Sequence, residues 1–213
     1  MQVVDSQGSN YWRFRKLDDQ KKDWLSSGSW LDGYMNSINH PHRDLIIEEI
    51  EKLQPLNDLT EIGCSCGPNI YRIKRAFPWM ILSGIDINSN AIEKAQKDLF
   101  SFASFSLVDM RDMGVIGNSE IVLLDAVLMY TTPQEIQNIS IQIANRADKA
   151  IIVVDWDDEN IEGVIKNGHW ARNYIKLFEP YGFKGTKRKL TEQEWPNSKG
   201  WLEHGHIYTL VRQ

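Results

Sequence analysis

The fold of this chain is decided by residues 58–72, which read DLTEIGCSCGPNIYR. They predict a short buried strand, a glycine-containing turn and the first turns of a helix. Pro68 suits the first helical position, where its missing N–H costs nothing, and Gly63 and Gly67 allow a tight turn close to a ligand. A helix that begins here points its unpaired N–H groups into the crevice above the sheet. This geometry is typical of nucleotide sites in open α/β sheets.

A second apolar strand follows this helix and ends in Asp86. An acid at that place can accept hydrogen bonds from two ribose hydroxyls. A dinucleotide-dependent dehydrogenase would share the strand, turn and helix, but it would prefer a third glycine at the start of the helix. Pro68, Asn69 and Ile70 stand there instead, which argues against that class.

Taken together, these motifs resemble those of the class I S-adenosylmethionine-dependent methyltransferases. The first motif of that family is an acid, any residue, and three glycines at alternate positions. It stands here as residues 61–67, with Ser65 in place of the middle glycine. The ribose-binding acid of the family matches Asp86, the acid after its third strand matches Asp109, and its fourth strand matches residues 120–130. The resemblance covers residues 57–213.

The resemblance implies S-adenosyl-L-methionine as the cofactor and S-adenosyl-L-homocysteine as the product. The implied cofactor-binding residues are Glu61, Gly63, Cys64, Ser65, Gly67, Asp86, Ile87, Asp109, Met110 and Asp125. The residues of the turn would line the methionine and ribose side of the cofactor. Asp86 would bind the ribose hydroxyls, Ile87, Asp109 and Met110 would meet the adenine, and Asp125 would lie beside the methionine moiety.

The rest of the chain alternates between strand-like and helix-like segments. We predict strands near residues 58–62, 80–86, 103–108, 120–125 and 149–155, and helices near residues 68–77, 89–100 and 133–147. Such alternation predicts a parallel sheet. A further helix is predicted near 165–181, and two strands near 183–190 and 204–211, which the resemblance makes an antiparallel hairpin. The expected fold is α/β: a doubly wound, Rossmann-like, mainly parallel seven-stranded sheet whose last strand is antiparallel.

An N-terminal helical cap is predicted over residues 1–56, before a methyltransferase core over 57–213 of the same single domain. Residues 11–25, with Trp24 among them, indicate an amphipathic helix or a pair of short helices. The resemblance implies that this segment packs over the cofactor crevice and contacts the substrate, whereas packing alone is the alternative for its aromatic residues. His40 opens the next helix and is a further candidate for substrate contact. The predicted substrate-binding residues are Trp30, Tyr34, His42, Trp156 and Trp201.

Four residues are candidates for catalysis. Methyl transfer is an in-line displacement, which a proton acceptor helps when the nucleophile is a hydroxyl or an ammonium. Tyr130 follows the fourth strand, where many small-molecule members of the resembled family carry a histidine. His169 is predicted at the start of a helix, and His204 and His206 share one face of the last strand. Histidine titrates in a range that suits a base.

The composition narrows the class of protein. A chain of 213 residues with 42% hydrophobic and 25% charged residues suits one domain with a sizeable core. Its net charge of −5 disfavours binding to nucleic acid without regard to sequence, so we expect no DNA partner and disfavour RNA. With no run of 18 apolar residues and no basic-then-apolar N-terminus, we expect no membrane partner and a cytoplasmic location.

No metal site is expected. The two cysteines of the chain are too close together for an ordinary disulfide and too few for a zinc site. Acids after the fourth and fifth strands could converge, as they do in magnesium-dependent O-methyltransferases. The Asp-Asn pair of those enzymes is absent, so a solvated acidic loop is favoured. The acids in question are Asp125, Asp155, Asp157 and Asp158.

The expected function is transfer of a methyl group to an oxygen or nitrogen of a small-molecule or glycan-like substrate. The residues after Asp125 lack the Pro-Pro-aromatic pattern that goes with methylation of DNA adenine or of glutamine. One alternative is an RNA or protein methyltransferase that uses the basic run at 184–189. Another is a non-catalytic module that keeps the fold. The sequence is compatible with a homodimer.

Overall fold

The computed structural model describes residues 8–17 and 29–213. The predicted segment around Trp24 lies outside these residues. The strands are β1 Asp58–Ile62, β2 Ile81–Asp86, β3 Ser104–Leu107, β4 Ser119–Asp125, β5 Ala147–Trp156, β6 Val164–Lys166, β7 His169–Ala171, β8 Phe183–Lys189 and β9 Gly205–Arg212. The α-helices are α1 Ser9–Phe14, α2 Trp30–Asn36, α3 His42–Lys52, α4 Pro68–Ala76, α5 Ser89–Leu99, α6 Pro133–Ala144, α7 Tyr174–Phe178 and α8 Lys199–His204.

The central sheet confirms the predicted fold class. In the described part of the chain it has seven strands in the order β3-β2-β1-β4-β5-β9-β8. The pairs from β3 to β5 are parallel, and β9 runs antiparallel to both β5 and β8. The parallel strands therefore present their carboxyl ends at one edge, and the order reverses between β1 and β4. That reversal is the place where open α/β sheets bind ligands.

Helices cover both faces of the sheet, as expected for a doubly wound fold. One apolar layer joins α3, α4 and α5 to the sheet through buried residues such as Ile46, Ile70 and Ile92. The other layer joins α6 and α7 to the opposite face through Ile139 and Phe178. Since both faces are buried, β5 carries a run of apolar β-branched residues with no polar alternation. These layers hold the carboxyl edge of the sheet rigid beneath the site.

The predicted helix over 165–181 is wrong for residues 165–173, and helical structure begins only at Tyr174. The structure has a small antiparallel hairpin there, β6 and β7, followed by the short helix α7. Asn167 and Gly168 form the hairpin turn with φ of 45° and 82°. Asn-Gly is the strongest short-range signal for a two-residue hairpin turn, because both central residues need positive φ. Asn173 then caps α7 by accepting a hydrogen bond from the backbone N–H of Lys176 at 3.0 Å.

No helix in the described ranges is both long and apolar enough to cross a membrane.

Candidate active site at the carboxyl ends of the strands

A cavity of about 610 Å³ opens at the carboxyl edge of the sheet, under the N-terminal helices. Its floor comes from β1, β2 and β4 and the loops that follow them, with Gly63, Asp86 and Asp125 at the strand ends. Its roof comes from the segments around α1 and α2, and its far wall from β7 and the connection before β9. The cavity lies where the sheet order reverses, which is the position predicted for a ligand.

The turn after β1 has the tight form that its glycines suggested. Gly63 and Gly67 have φ of 75° and 88°, and Ser65 adopts φ of 51° between them. The left-handed conformation is disfavoured for a residue with a side chain, so Ser65 takes at some strain the shape that the missing glycine would take freely. Its backbone N–H donates to Asp86 Oδ2 at 2.8 Å. The substitution therefore leaves the loop closed against the second strand.

Asp86 lies at the end of β2 as a pre-positioned acceptor. Its Oδ1 accepts from the backbone N–H of Asn88 at 2.8 Å, and its Oδ2 from that of Ser65. Burial raises the pKa of Asp86, and the N–H groups of Asn88 and Ser65 oppose that rise. Each carboxylate oxygen has a second lone pair that can accept a further hydrogen bond. Because Asp86 lines the cavity, a ligand bound there can donate to these oxygens.

Asp125 is the hub of a buried polar cluster at the end of β4. Its Oδ2 accepts from His42 Nε2 and from Asn69 Nδ2, both at 2.9 Å, and lies 3.5 Å from Arg43 Nη1. Burial opposes ionisation, but His42 and Arg43 hold the pKa of this carboxyl well below its usual range. Among the described residues its Oδ1 has no hydrogen-bond partner, although it is buried. The cluster thus leaves one anionic oxygen available to a ligand.

Glu61 lies behind the turn with a neutral carboxyl group. Its Oε1 accepts from Asn69 Nδ2 at 2.7 Å, and its buried Oε2 has no partner within residues 8–17 and 29–213. Burial raises the pKa of Glu61 to about 8, against the hydrogen bond from Asn69, which lowers it, and with the nearby carboxylate of Asp125, which raises it. Asn69 therefore bridges one protonated and one ionised carboxyl group.

Two histidines extend the Asp125 cluster towards the cavity. His40 Nδ1 lies 2.6 Å from His42 Nδ1, so one of the two nitrogens carries the proton. Since His42 Nε2 faces the carboxylate of Asp125, it is the donor there, and His42 Nδ1 must then accept from His40. This arrangement leaves a lone pair on His40 Nε2. Burial, followed by the nearness of His42 and Arg43, lowers the pKa of His40 to about 4, and burial lowers the pKa of His42 as well, so both imidazoles are neutral near pH 7.

Aromatic rings cover the histidine pair and the rest of the cavity. Trp195 lies 4.3 Å from His42 between ring centroids, and Trp201 stacks on Trp195 at 3.8 Å and 12°. From the opposite side, Trp12 of α1 contacts Tyr130 edge to face at 5.2 Å. A wall of this kind excludes water and suits a flat or apolar ligand.

The roof is anchored to the sheet by hydrogen bonds from the end of β2. Asn88 Nδ2 donates to the carbonyl oxygens of Trp12 and Arg15, at 2.7 and 3.0 Å. Trp30 Nε1 donates to the carbonyl oxygen of Lys16 at 3.0 Å. The segment around α1 is thereby fixed over the same strand end that carries Asp86.

The predicted cofactor residues fall into two groups. The cavity lining includes Gly63, Ser65, Asp86, Ile87, Asp109, Met110 and Asp125. Glu61, Cys64 and Gly67 are packed behind the turn and are absent from that lining. Asp109 already carries hydrogen bonds from Arg13 and from Arg111 Nη2, the latter at 2.7 Å. Burial would raise the pKa of Asp109, but the bonds from Arg111 hold it below its usual range.

The four predicted catalytic residues are not brought together. Tyr130 and His169 line the cavity with their rings 5.3 Å apart, but His169 opens β7 rather than a helix. Burial raises the pKa of Tyr130 well above its ordinary value, which disfavours it as a base. His204 and His206 are absent from the cavity lining. His206 Nδ1 lies 3.0 Å from the carbonyl oxygen of His204.

The predicted substrate residues, by contrast, share the cavity. Trp30, Tyr34, His42, Trp156 and Trp201 all line it. Three further residues line the cavity, of which only His40 was a candidate for substrate contact from the sequence. His40 completes the pair with His42, Arg15 reaches in from the end of α1, and Trp195 covers the histidines. The sequence signal for His40 was its position before Pro41, which gave no hint of its contact with His42.

The acids after β4 and β5 point in different directions. Asp155 accepts from the backbone N–H groups of Trp156 and Met129, at 2.7 and 3.0 Å, and is buried. Asp157 pairs with Lys187 Nζ at 2.7 Å. In the part of the chain that the structure describes, no group of three or more His, Cys, Asp or Glu side chains is arranged so that it could hold a metal ion.

Comparison with solved structures decides the fold family. Magnesium protoporphyrin IX methyltransferase ChlM from Synechocystis PCC 6803, with bound S-adenosylhomocysteine, has a TM-score of 0.66 at 15% identity, over 99% of this chain and 98% of that one. N-methyltransferase NodS from Bradyrhizobium japonicum WM9, also with S-adenosylhomocysteine, has 0.67 at 12% identity, over 100% and 99%. The chain has the class I methyltransferase fold.

Other similar structures with this class I methyltransferase fold cover less of the chain. An O-methyltransferase family protein from Burkholderia thailandensis has a TM-score of 0.64 at 14% identity, over 86% of this chain and 59% of that one. No protein-family profile matches the chain, and no curated protein sequence matches it. The predicted resemblance is confirmed at the level of the fold.

Proposed function

We propose that the protein is an S-adenosylmethionine-dependent methyltransferase that methylates an oxygen or nitrogen of a small molecule. The observation that carries this proposal is the buried Oδ1 of Asp125, which has no hydrogen-bond partner among the residues that the structure describes and belongs to a residue that lines the cavity at the strand-order reversal. An ionised oxygen without a donor fits the ammonium group of the cofactor's methionine moiety. The buried Oγ of Ser65, also without a partner among the described residues, adds a second polar contact.

Each part of the cofactor would meet a matching group. Asp86 would accept from the ribose hydroxyls, and Ile87 and Met110 would pack against the adenine. Asp125 would hold the ammonium, and the turn at Gly63 would let the backbone approach the methionine moiety closely. When bound, the cofactor supplies an electrophilic methyl group. The roof of aromatic rings would keep water from that group.

His40 is the residue best placed to accept the proton of a hydroxyl or amine acceptor. Its Nε2 carries the lone pair, and its Nδ1 is held by His42, which in turn donates to Asp125. A proton gained at Nε2 would lie at the end of a hydrogen-bonded series that leads to the carboxylate of Asp125, whose charge favours the protonated form against the larger effects of burial, His42 and Arg43. In this proposal His42 positions and polarises His40, and it does not itself touch the acceptor.

Isothermal titration calorimetry with S-adenosylmethionine, S-adenosylhomocysteine and NAD tests the proposal. We expect the first two to bind and NAD not to bind. Asp86→Asn should weaken binding of S-adenosylhomocysteine by roughly 10- to 100-fold, the scale of lost hydrogen bonds to a charged group. Asp112→Asn, at an exposed aspartate nearby, is the matched control and should leave the affinity unchanged. Absence of binding to both adenosyl compounds would refute the proposal.

A further inference from the structure

Arg15 is a buried cation in the wall of the cavity. It follows α1, lines the cavity and is only 3% exposed. Its guanidinium carbon lies 4.3 Å from the ring centroid of Trp30, 5.1 Å from that of Trp12 and 5.5 Å from that of Tyr11. The rings fix the position of the guanidinium group and provide cation–π attraction.

Two donors of Arg15 have no acceptor. Within residues 8–17 and 29–213, neither Nε nor Nη2 has a hydrogen-bond partner, although both atoms are buried. Arg43, which also lines the cavity, is in the opposite situation. Its Nε and Nη2 donate to the carbonyl and hydroxyl oxygens of Ser37, both at 2.9 Å. Burying an ionised donor without an acceptor is costly. The environment of Arg15 therefore suits a ligand that supplies the missing acceptor.

The acids of the cavity are engaged elsewhere. Asp86 holds backbone N–H groups, Asp109 holds Arg13 and Arg111, and Asp125 holds His42. In the described residues none of these three carboxylates makes an ion pair or hydrogen bond with Arg15. The missing acceptor is therefore not supplied by the acidic residues of the cavity wall. A bound molecule can supply it.

We propose that Arg15 is the recognition site for a carboxylate group of a molecule bound in the cavity. Its two unpartnered donors, Nε–H and one N–H of Nη2, lie parallel on the same edge of the guanidinium plane. That spacing matches the two oxygens of a carboxylate, so binding would be bidentate. The aromatic rings on Arg15 would hold this edge in place before binding, which reduces the ordering entropy of the complex.

Two molecules could bring the carboxylate, and this inference rests on the proposed function for both of them. One is the cofactor, whose methionine moiety ends in a carboxylate. The other is the methyl acceptor, which would then be an acidic small molecule. The hydrogen bonds to Arg15 are the same in the two cases. Affinities measured for ligands with and without a carboxylate distinguish the two sources.

The test compares wild-type protein with Arg15→Gln by calorimetry. The ligands are S-adenosylhomocysteine, its decarboxylated analogue, which keeps the ammonium, and sodium benzoate, which is titrated both with and without an excess of S-adenosylhomocysteine. If the cofactor brings the carboxylate, Arg15→Gln weakens S-adenosylhomocysteine by 10- to 100-fold and leaves the decarboxylated analogue unchanged. If the methyl acceptor brings the carboxylate, Arg15→Gln binds both adenosyl ligands as tightly as wild type does. Benzoate then binds to wild type and not to Arg15→Gln.

The proposal is overturned if Arg15→Gln matches wild type for all three ligands. Arg75→Gln, at an exposed arginine of α4, is the control for a change of net charge. Arg15→Lys keeps the charge and loses the fork, so it should bind with intermediate affinity. It also serves as the second variant if thermal unfolding shows that Arg15→Gln is destabilised. Should wild type bind neither adenosyl ligand while benzoate binding still depends on Arg15, the proposed function fails and the anion site stands.

Discussion

Replacing Glu61 by glutamine should flatten the dependence of stability on pH between pH 7 and pH 8. Glu61 is buried, and its pKa is raised from 4.5 to about 8 in the folded protein. Below pH 4.5 the folded and unfolded chains both hold the proton, and the stabilisation is fully present. Above that pH the unfolded chain releases the proton while the folded chain keeps it, so stability falls until the pH passes about 8.

The size of the effect follows from those two pKa values. With a folded pKa of about 8, the contribution of Glu61 to the free energy of unfolding decreases by about 1 kcal/mol from pH 7 to pH 8 and by about 2 kcal/mol from pH 6 to pH 8. Glutamine keeps an oxygen that can accept from Asn69 and has no proton to lose. From pH 7 to pH 8, the free energy of unfolding of Glu61→Gln should therefore fall by about 1 kcal/mol less than that of wild type.

Urea denaturation followed by tryptophan fluorescence at pH 6, 7 and 8 measures the difference. Asp155, whose pKa burial raises to about 7, contributes its own loss of stability in the same range. That loss is equal in both proteins and cancels in the comparison. Glu48→Gln, at an exposed glutamate of α3, is the matched control and should run parallel to wild type. If the curve of Glu61→Gln is also parallel to wild type, Glu61 is ionised in the folded protein and the reasoning is wrong.

Three further predictions concern the turn, the roof and the histidine pair. Gly67→Ala should destabilise the protein by about 1–3 kcal/mol in urea denaturation, because φ is 88° there and a Cβ would lie 2.7 Å from Leu99 Cδ1; an unchanged midpoint would contradict this. Asn88→Ala removes a helix cap and two bonds to the roof, so limited proteolysis should cleave the α1 segment faster than in wild type. In long-range ¹H–¹⁵N spectra at pH 7, His40 should be the Nδ1–H tautomer and His42 the Nε2–H tautomer. His40 should titrate near pH 4 rather than 6.5. A His40 that titrates near 6.5 would exclude the assigned hydrogen bonds from His40 through His42 to Asp125.

The arrangement of strands and helices was accessible from the sequence because it rests on local patterns. The turn at Gly63, the acid at Asp86 and the apolar runs of β4 and β5 are each contained in fewer than about a dozen residues. The one wrong element, the helix over 165–181, was an error of the same local kind. Asn167 and Gly168 carry the signal for a hairpin turn, and a single helix drawn across them overlooks it.

The chemistry of the cavity, however, depends on contacts between distant residues. His42 and Asp125 are 83 positions apart and meet only because α3 packs against the sheet beside the end of β4. Arg15 looked like one charge of an amphipathic surface, and its burial arises from three aromatic rings that the fold places around it. The sequence by itself determined the sheet, the turn and the edge where a ligand binds, since periodicity and glycine conformation act locally. Only the tertiary structure decided which donors are left unpaired there, because hydrogen-bond satisfaction and desolvation depend on every element that surrounds a buried group.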